Sequence, residues 1–163
     1  MAGSEPALAI VWHSRTGAAR SMAQAVAEGA GSAARLLAAA DAGPSELLAA
    51  DGFVFVCPEN LAAMSGMMKE MFDRAYYAVL GKLEGRPYAT VIAAGSDGAG
   101  AQAQIDRIAT GWRLRRVAEA MIVNFDAQTP EAILAEKTVP EAVLQSCRDL
   151  GRALAEGLRL GIF

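Results

Sequence analysis

The sequence predicts an α/β protein in three layers, a five-stranded parallel sheet with helices on both faces. Three observations predict it. Short, uninterrupted apolar runs at Ala7–Trp12, Gly52–Cys57 and Tyr88–Ala94 read as strands buried on both sides. Between them lie segments whose apolar residues recur at helical spacing. Each run also ends abruptly in a polar or glycine-rich loop, as strands do when helices cross back over a parallel sheet.

The elements follow in order. Ala7–Trp12 ends at polar His13-Ser14. From Gly17 to Ala30, Ala19, Met22, Ala23, Val26 and Ala30 form an apolar stripe opposite Arg20, Gln24 and Glu28, which predicts the first helix. Ala33–Ala39 is read as the second strand, although its alanines favour helix. Gly43-Pro44 breaks the chain, and Glu46–Ala50 is a short helical piece. Gly52–Cys57 is the clearest strand and is expected to be central, stopped by Pro58. Met64, Met67, Met68, Met71, Phe72, Ala75 and Tyr76 then fit the i, i+3, i+4, i+7 template, with Lys69, Glu70, Asp73 and Arg74 on the other side. Such a methionine stripe suits either an adaptable binding groove or a core, and at this spacing it is read as core. Tyr88–Ala94 is the fourth strand, Gln102–Trp112 a helix, and a fifth strand is placed within Val117–Phe125. Thr138-Val-Pro-Glu141 has the pattern of a capping box with proline early in the first turn, opening a last helix with Val143, Cys147, Leu150, Leu154 and Leu158 on one face.

Composition narrows the function. The 163 residues suit one core, so the chain is read as a single domain over 1–163, without a linker or internal repeat. At 53% hydrophobic and 20% charged residues it can offset its ordering entropy and is not a disordered chain. A net charge of −3 with interleaved signs gives no basic stripe, which argues against nucleic acid as a partner. No apolar run approaches a membrane span, and Met-Ala-Gly-Ser-Glu-Pro at the N-terminus has no basic region of the kind that opens a signal peptide, so a cytoplasmic protein without membrane insertion is expected. Cys57 and Cys147 lie in apolar surroundings without CxxC spacing and are expected to be buried reduced thiols.

Parallel sheets place their ligands beyond the carboxyl ends of the strands, which singles out three loops. Ser14-Arg15-Thr16-Gly17-Ala18-Ala19 joins the first strand to the first helix. Unpaired helix amides, two hydroxyls and a glycine allowing close approach suit a phosphate, while Ser and Thr also stand before helices as ordinary caps. Pro58-Glu59-Asn60-Leu61-Ala62-Ala63-Met64-Ser65-Gly66 follows the central strand, offering polar groups at Glu59 and Asn60 and apolar ones at Leu61 and Met64. Gly95-Ser96-Asp97-Gly98-Ala99-Gly100 exposes backbone amides. Its Gly98-x-Gly100-x-x-Ala103 also meets a relaxed dinucleotide pattern, which in a glycine- and alanine-rich chain and outside the first βα unit carries little weight.

These loops resemble those of the flavodoxin-like family, in its branch of NAD(P)H-dependent FMN reductases and quinone oxidoreductases. His-Ser-Arg-Thr-Gly resembles the loop that holds the FMN phosphate, Thr/Ser-x-Thr-Gly-x-Thr. Ser14, Thr16 and Gly17 match it, whereas Ala19 stands where a second hydroxyl is usual. The run from Pro58 to Arg74, with Met64-Ser65-Gly66, Lys69 and Asp73-Arg74, is similar to the segment that wraps the isoalloxazine ring in that branch. The resemblance implies strand order 2-1-3-4-5 and FMN as cofactor, bound by residues 14–19, by Pro58, Glu59, Asn60, Leu61, Ala62, Met64 and Ser65, and by Gly95, Ser96, Asp97 and Gly98. It further implies NAD(P)H as co-substrate, a quinone or similar small molecule as electron acceptor, and a possible homodimer. Lys69 and Asp73-Arg74 are read as holding their helix in place.

No residue is assigned as catalytic, because the cofactor carries the chemistry, and none as a metal ligand. The chain lacks a P-loop, a metal-ligand cluster and a serine nucleophile elbow. His13, the only histidine, is read as a positioning or surface residue. A receiver domain would need acidic residues where Trp12 and His13 stand. The alternatives are a flavodoxin carrying single electrons between proteins and an interaction protein of this fold without FMN. The mild charge and the absence of aromatic residues in Leu61–Ser65 and Ser96–Gly100 weigh against the flavodoxin.

Overall fold

In a computed structural model, which describes residues 3–163, the chain runs β1 (Leu8–Trp12), α1 (Ala18–Ala30), β2 (Ala34–Ala38), α2 (Pro44–Ala49), β3 (Gly52–Asn60), β4 (Ala63–Met64), α3 (Gly66–Val79), β5 (Pro87–Ala94), α4 (Ala99–Gly111), β6 (Arg115–Arg116), β7 (Met121–Asn124), α5 (Pro130–Leu134) and α6 (Glu141–Leu160). Met1 and Ala2, part of the N-terminal stretch read for its lack of a basic region, lie outside the described residues. No described helix is long and apolar enough to cross a membrane.

β1 pairs in parallel with β2 on one side and β3 on the other, β3 pairs with β5, and β5 with both β6 and β7. The resulting order, β2-β1-β3-β5-β6, contains the five-stranded parallel sheet that the sequence predicts, with Ala34–Ala38 as a true strand. Seven strands replace five for two reasons. The fifth strand is broken, β6 pairing with the start of β5 and β7 with its end. The third strand does not stop at Pro58. It runs on to Asn60 and turns back as an antiparallel hairpin with β4, in which Glu59 faces Met64 and Asn60 faces Ala63. Met64 therefore belongs to a strand, not to the helix in which its spacing placed it.

Strand alternation divides the core. Ala9, Val11, Phe53, Phe55 and Cys57 point to one face, beneath Leu47 of α2, Met68, Met71 and Phe72 of α3, and Ile105 of α4. Leu8, Ile10, Val54 and Val56 point to the other, beneath Met22 and Val26 of α1 and Cys147 and Leu154 of α6. The methionine stripe is mainly core, as expected, with Met67 and Tyr76 at its exposed margin. Lys69 pairs with Asp73 at 2.6 Å, and Arg74 holds Glu70 at 2.9 Å while donating to the carbonyls of Ala39 and Ala42, so these residues do brace the helix. Both cysteines are free and buried, and burial pushes the Cys57 thiol up to about 12 and that of Cys147 to about 11.

One local expectation fails. The last helix starts at Glu141 with Pro140 as its cap and no side-chain cap bond, so Thr138 closes no capping box. Glu141 instead pairs with Arg148 at 2.7 Å. Behind the sheet α1 and α6 meet backbone to backbone: a Cβ on Gly29 would lie 1.8 Å from the Arg148 carbonyl oxygen, and one on Gly151 would lie 2.0 Å from that of Val26.

Candidate functional site

β1, β3 and β5 are neighbours in the sheet, so the three loops that follow them share its carboxyl edge. In the first loop, Gly17 adopts φ +99° and caps α1, a conformation that disfavours any side chain. Ser14 Oγ accepts from the Gly17 amide at 3.1 Å and so does not cap the helix interior. The first helical amide to bond back is Ser21, to Gly17. Among the described residues the amides of Ala18, Ala19 and Arg20 have no protein acceptor, and α1 has no acidic residue in its first turn. These open donors at a positive dipole end fit an anion such as a phosphate. The Ala19 side chain is only 1% exposed and packs into the core.

The second loop is the β3–β4 hairpin. Leu61 and Ala62 both have positive φ, +52° and +61°, the signature of a type I′ turn that normally calls for Asn-Gly. Leu61 is fully exposed at its tip. Met64, by contrast, is buried beneath the hairpin and offers no open apolar surface. Ser65 is also buried, its hydroxyl 2.8 Å from His13 Nδ1. That bond fastens the second loop to the end of β1 and gives His13 a positioning role. Burial, with Arg15 adding repulsion, holds the imidazole below its ordinary pKa and so in its neutral form near neutral pH.

The third loop is locked to the second by Glu59. Its carboxylate accepts from the amides of Gly98 at 2.8 Å and Ala101 at 3.1 Å, across the N-terminus of α4. Gly100 lets the hairpin lie against that helix, since a Cβ there would come within 2.0 Å of the Ala62 carbonyl oxygen. The protein's own carboxylate thus fills the anion position that the Gly98-x-Gly100-x-x-Ala103 pattern would otherwise offer. Gly95 and exposed Ser96 and Asp97 are held from the far side, where Asn124 Nδ2 donates to the Ser96 carbonyl at 2.7 Å and the Ala127 amide to that of Gly95 at 2.8 Å.

The structure therefore brings all three segments into one hydrogen-bonded belt. It turns Met64 and the hydroxyl of Ser65 inward, and it commits Glu59 to joining two loops. It also adds groups that the sequence does not single out: Asn124 at the end of β7, and Lys137 between α5 and α6, whose amide donates to the Thr16 carbonyl at 2.8 Å. No short motif marks either one, because both reach the site by long-range contact. Concavities of about 680 Å³ beside Arg116–Ala120 and about 340 Å³ between α3 and α4 are lined by none of the three loops. Among the described residues no group of three or more His, Cys, Asp or Glu is arranged to hold a metal ion.

A parallel sheet in this order, with a glycine-capped helix after β1 and loops gathered at one edge, defines a flavodoxin-like protein. The structure superposes on the flavodoxin, WrbA-like protein of Agrobacterium tumefaciens with a TM-score of 0.76 at 21% identity, covering 95% of this chain and 98% of that one. A flavodoxin from the domain Archaea gives 0.74 at 18% identity over 93% and 98% of the two chains. The family model of NADPH-dependent FMN reductase matches residues 38–128, and a flavodoxin of Aquifex aeolicus is 30% identical over 156 residues, 90% of this chain and 84% of the relative. The chain belongs to the NADPH-dependent FMN reductase family.

Proposed function

We propose that the chain, acting as a single domain over residues 1–163, is an FMN-dependent oxidoreductase that takes reducing equivalents from NAD(P)H and passes them to a quinone or similar small acceptor. The observation that carries this reading is the open row of amides at Ala18–Arg20, set in a belt with the other two loops in a chain of the FMN reductase family. FMN supplies the hydride and electron chemistry when bound. The first loop holds its phosphate through those amides and Thr16. The hairpin from Pro58 to Ser65 lies along the ring and presents Leu61 to it, while Gly95–Gly98 approach its pyrimidine side with backbone donors that favour the more negative, reduced form. None of these segments contains an aromatic side chain, which leaves a ring face free for nicotinamide and acceptor to take in turn.

The carrier reading has support of its own, since the 30% identical relative is named a flavodoxin. The two part on one experiment: protein loaded with FMN and mixed anaerobically with NADH or NADPH. Rapid bleaching of the flavin absorbance supports the reductase. Tight binding without bleaching moves the carrier ahead. A homodimer is part of the proposal and is read by light scattering, a fully active monomer counting against it.

A further inference from the structure

Lys137 enters the site from the segment between α5 and α6. Its amide donates to the Thr16 carbonyl at 2.8 Å, which ties that segment to the first loop. Its ammonium is fixed by the carbonyls of Ile133 at 3.1 Å and Ala135 at 2.6 Å and lies 3.5 Å from Thr16 Oγ1. The side chain is half-buried, and among the described residues it has no carboxylate within ion-pair distance. Beside it, Gly17 packs against the same segment, where an added Cβ would lie 3.8 Å from Glu136 Cγ and 3.9 Å from the Lys137 carbonyl oxygen. A cation held by carbonyls and set against Thr16, two residues before the first of the open amides, is complementary to a dianion.

We propose that Lys137 is a phosphate-binding residue of this site, supplying a cation from a distant segment beside the hydroxyl of Thr16. The inference rests on the FMN reading and deepens it. The chain would anchor the phosphate monoester by a point charge as well as by amides, so its preference for FMN over riboflavin would depend on Lys137. Two of the three ammonium protons go to the carbonyls of Ile133 in α5 and Ala135, which leaves the third, set against Thr16 Oγ1 at the longer 3.5 Å, for the phosphate.

The test is a fluorescence titration of flavin-free protein with FMN and, separately, with riboflavin, at low and high NaCl, for wild type, Lys137→Gln and Lys137→Arg. All variants keep the backbone bond to Thr16, and thermal unfolding checks that each is folded. The expected result is about a tenfold loss of FMN affinity in Lys137→Gln, riboflavin affinity within about twofold, a weaker salt dependence than wild type, and recovery in Lys137→Arg. Equal losses for both flavins, or no loss for FMN, would overturn the role of Lys137 while leaving FMN binding intact. A wild-type protein that binds neither flavin would overturn the FMN reading itself.

Discussion

Glu59 shows how one side chain can serve two loops. Its two oxygens take amides at the start of α4, so Glu59→Ala leaves both donors unpaired and uncouples the hairpin from the third loop. Loss of a helix-capping acceptor costs about 1–2 kcal/mol, so urea unfolding of the variant should show that loss, with FMN affinity reduced as well; an unchanged midpoint would mean the carboxylate is idle. His13 gives a pH signature. Its folded pKa is lowered, chiefly by burial, so the unfolded chain binds the proton more readily. Its contribution is therefore complete above the ordinary histidine value of about 6.5 and is lost as pH falls through the folded value. Thermal unfolding between pH 7 and pH 5 should fall more steeply in wild type than in His13→Gln, and parallel curves would contradict this. At this scale the first loop was legible, because Ser14, Thr16 and Gly17 are contiguous. Lys137 was not, since 121 positions separate it from Thr16.

Among the elements, the strongly apolar strands were legible because burial on both faces writes itself into consecutive residues. The hairpin was hidden because its turn is Leu61-Ala62, where sequence signals call for Asn-Gly. Pro58 disguised it further, standing inside a strand as residues do only where the ladder tolerates a missing donor. Two L-residues in the left-handed region cost about 1–2 kcal/mol each, strain of the kind often kept at functional sites. Replacing Ala62 by glycine should relieve about 1 kcal/mol and raise the thermal midpoint by roughly 2–4 °C; no gain on calorimetry would mean the turn is unstrained. The contact of α1 with α6 was equally hidden, because Gly29 and Gly151 carry no periodic signal. Gly151→Ala must push the Val26 backbone away, and a loss of about 1–3 kcal/mol in denaturant unfolding is expected. Wild-type stability in that variant would contradict the close crossing.

For the molecule as a whole, a parallel sheet between helices follows from the sequence because each strand and helix carries its own pattern and parallel crossovers leave few topologies, whereas the strand order came from the family resemblance and the division of the core by the sheet was not read. β6 and α5 escaped for the converse reason, being short and exposed, with little apolar periodicity, whereas β7 lies within the range expected for the fifth strand. What the fold delivers is position: α1 directs its open amides to the carboxyl edge, and the Glu59 and His13 bonds hold the two other loops against it. The most direct test of that account is an absorption titration of the flavin-free protein with FMN, followed by anaerobic addition of NADH or NADPH. The account predicts saturable binding with a perturbed flavin spectrum and rapid bleaching by one of the two nicotinamides. Absence of FMN binding by correctly folded protein would contradict it.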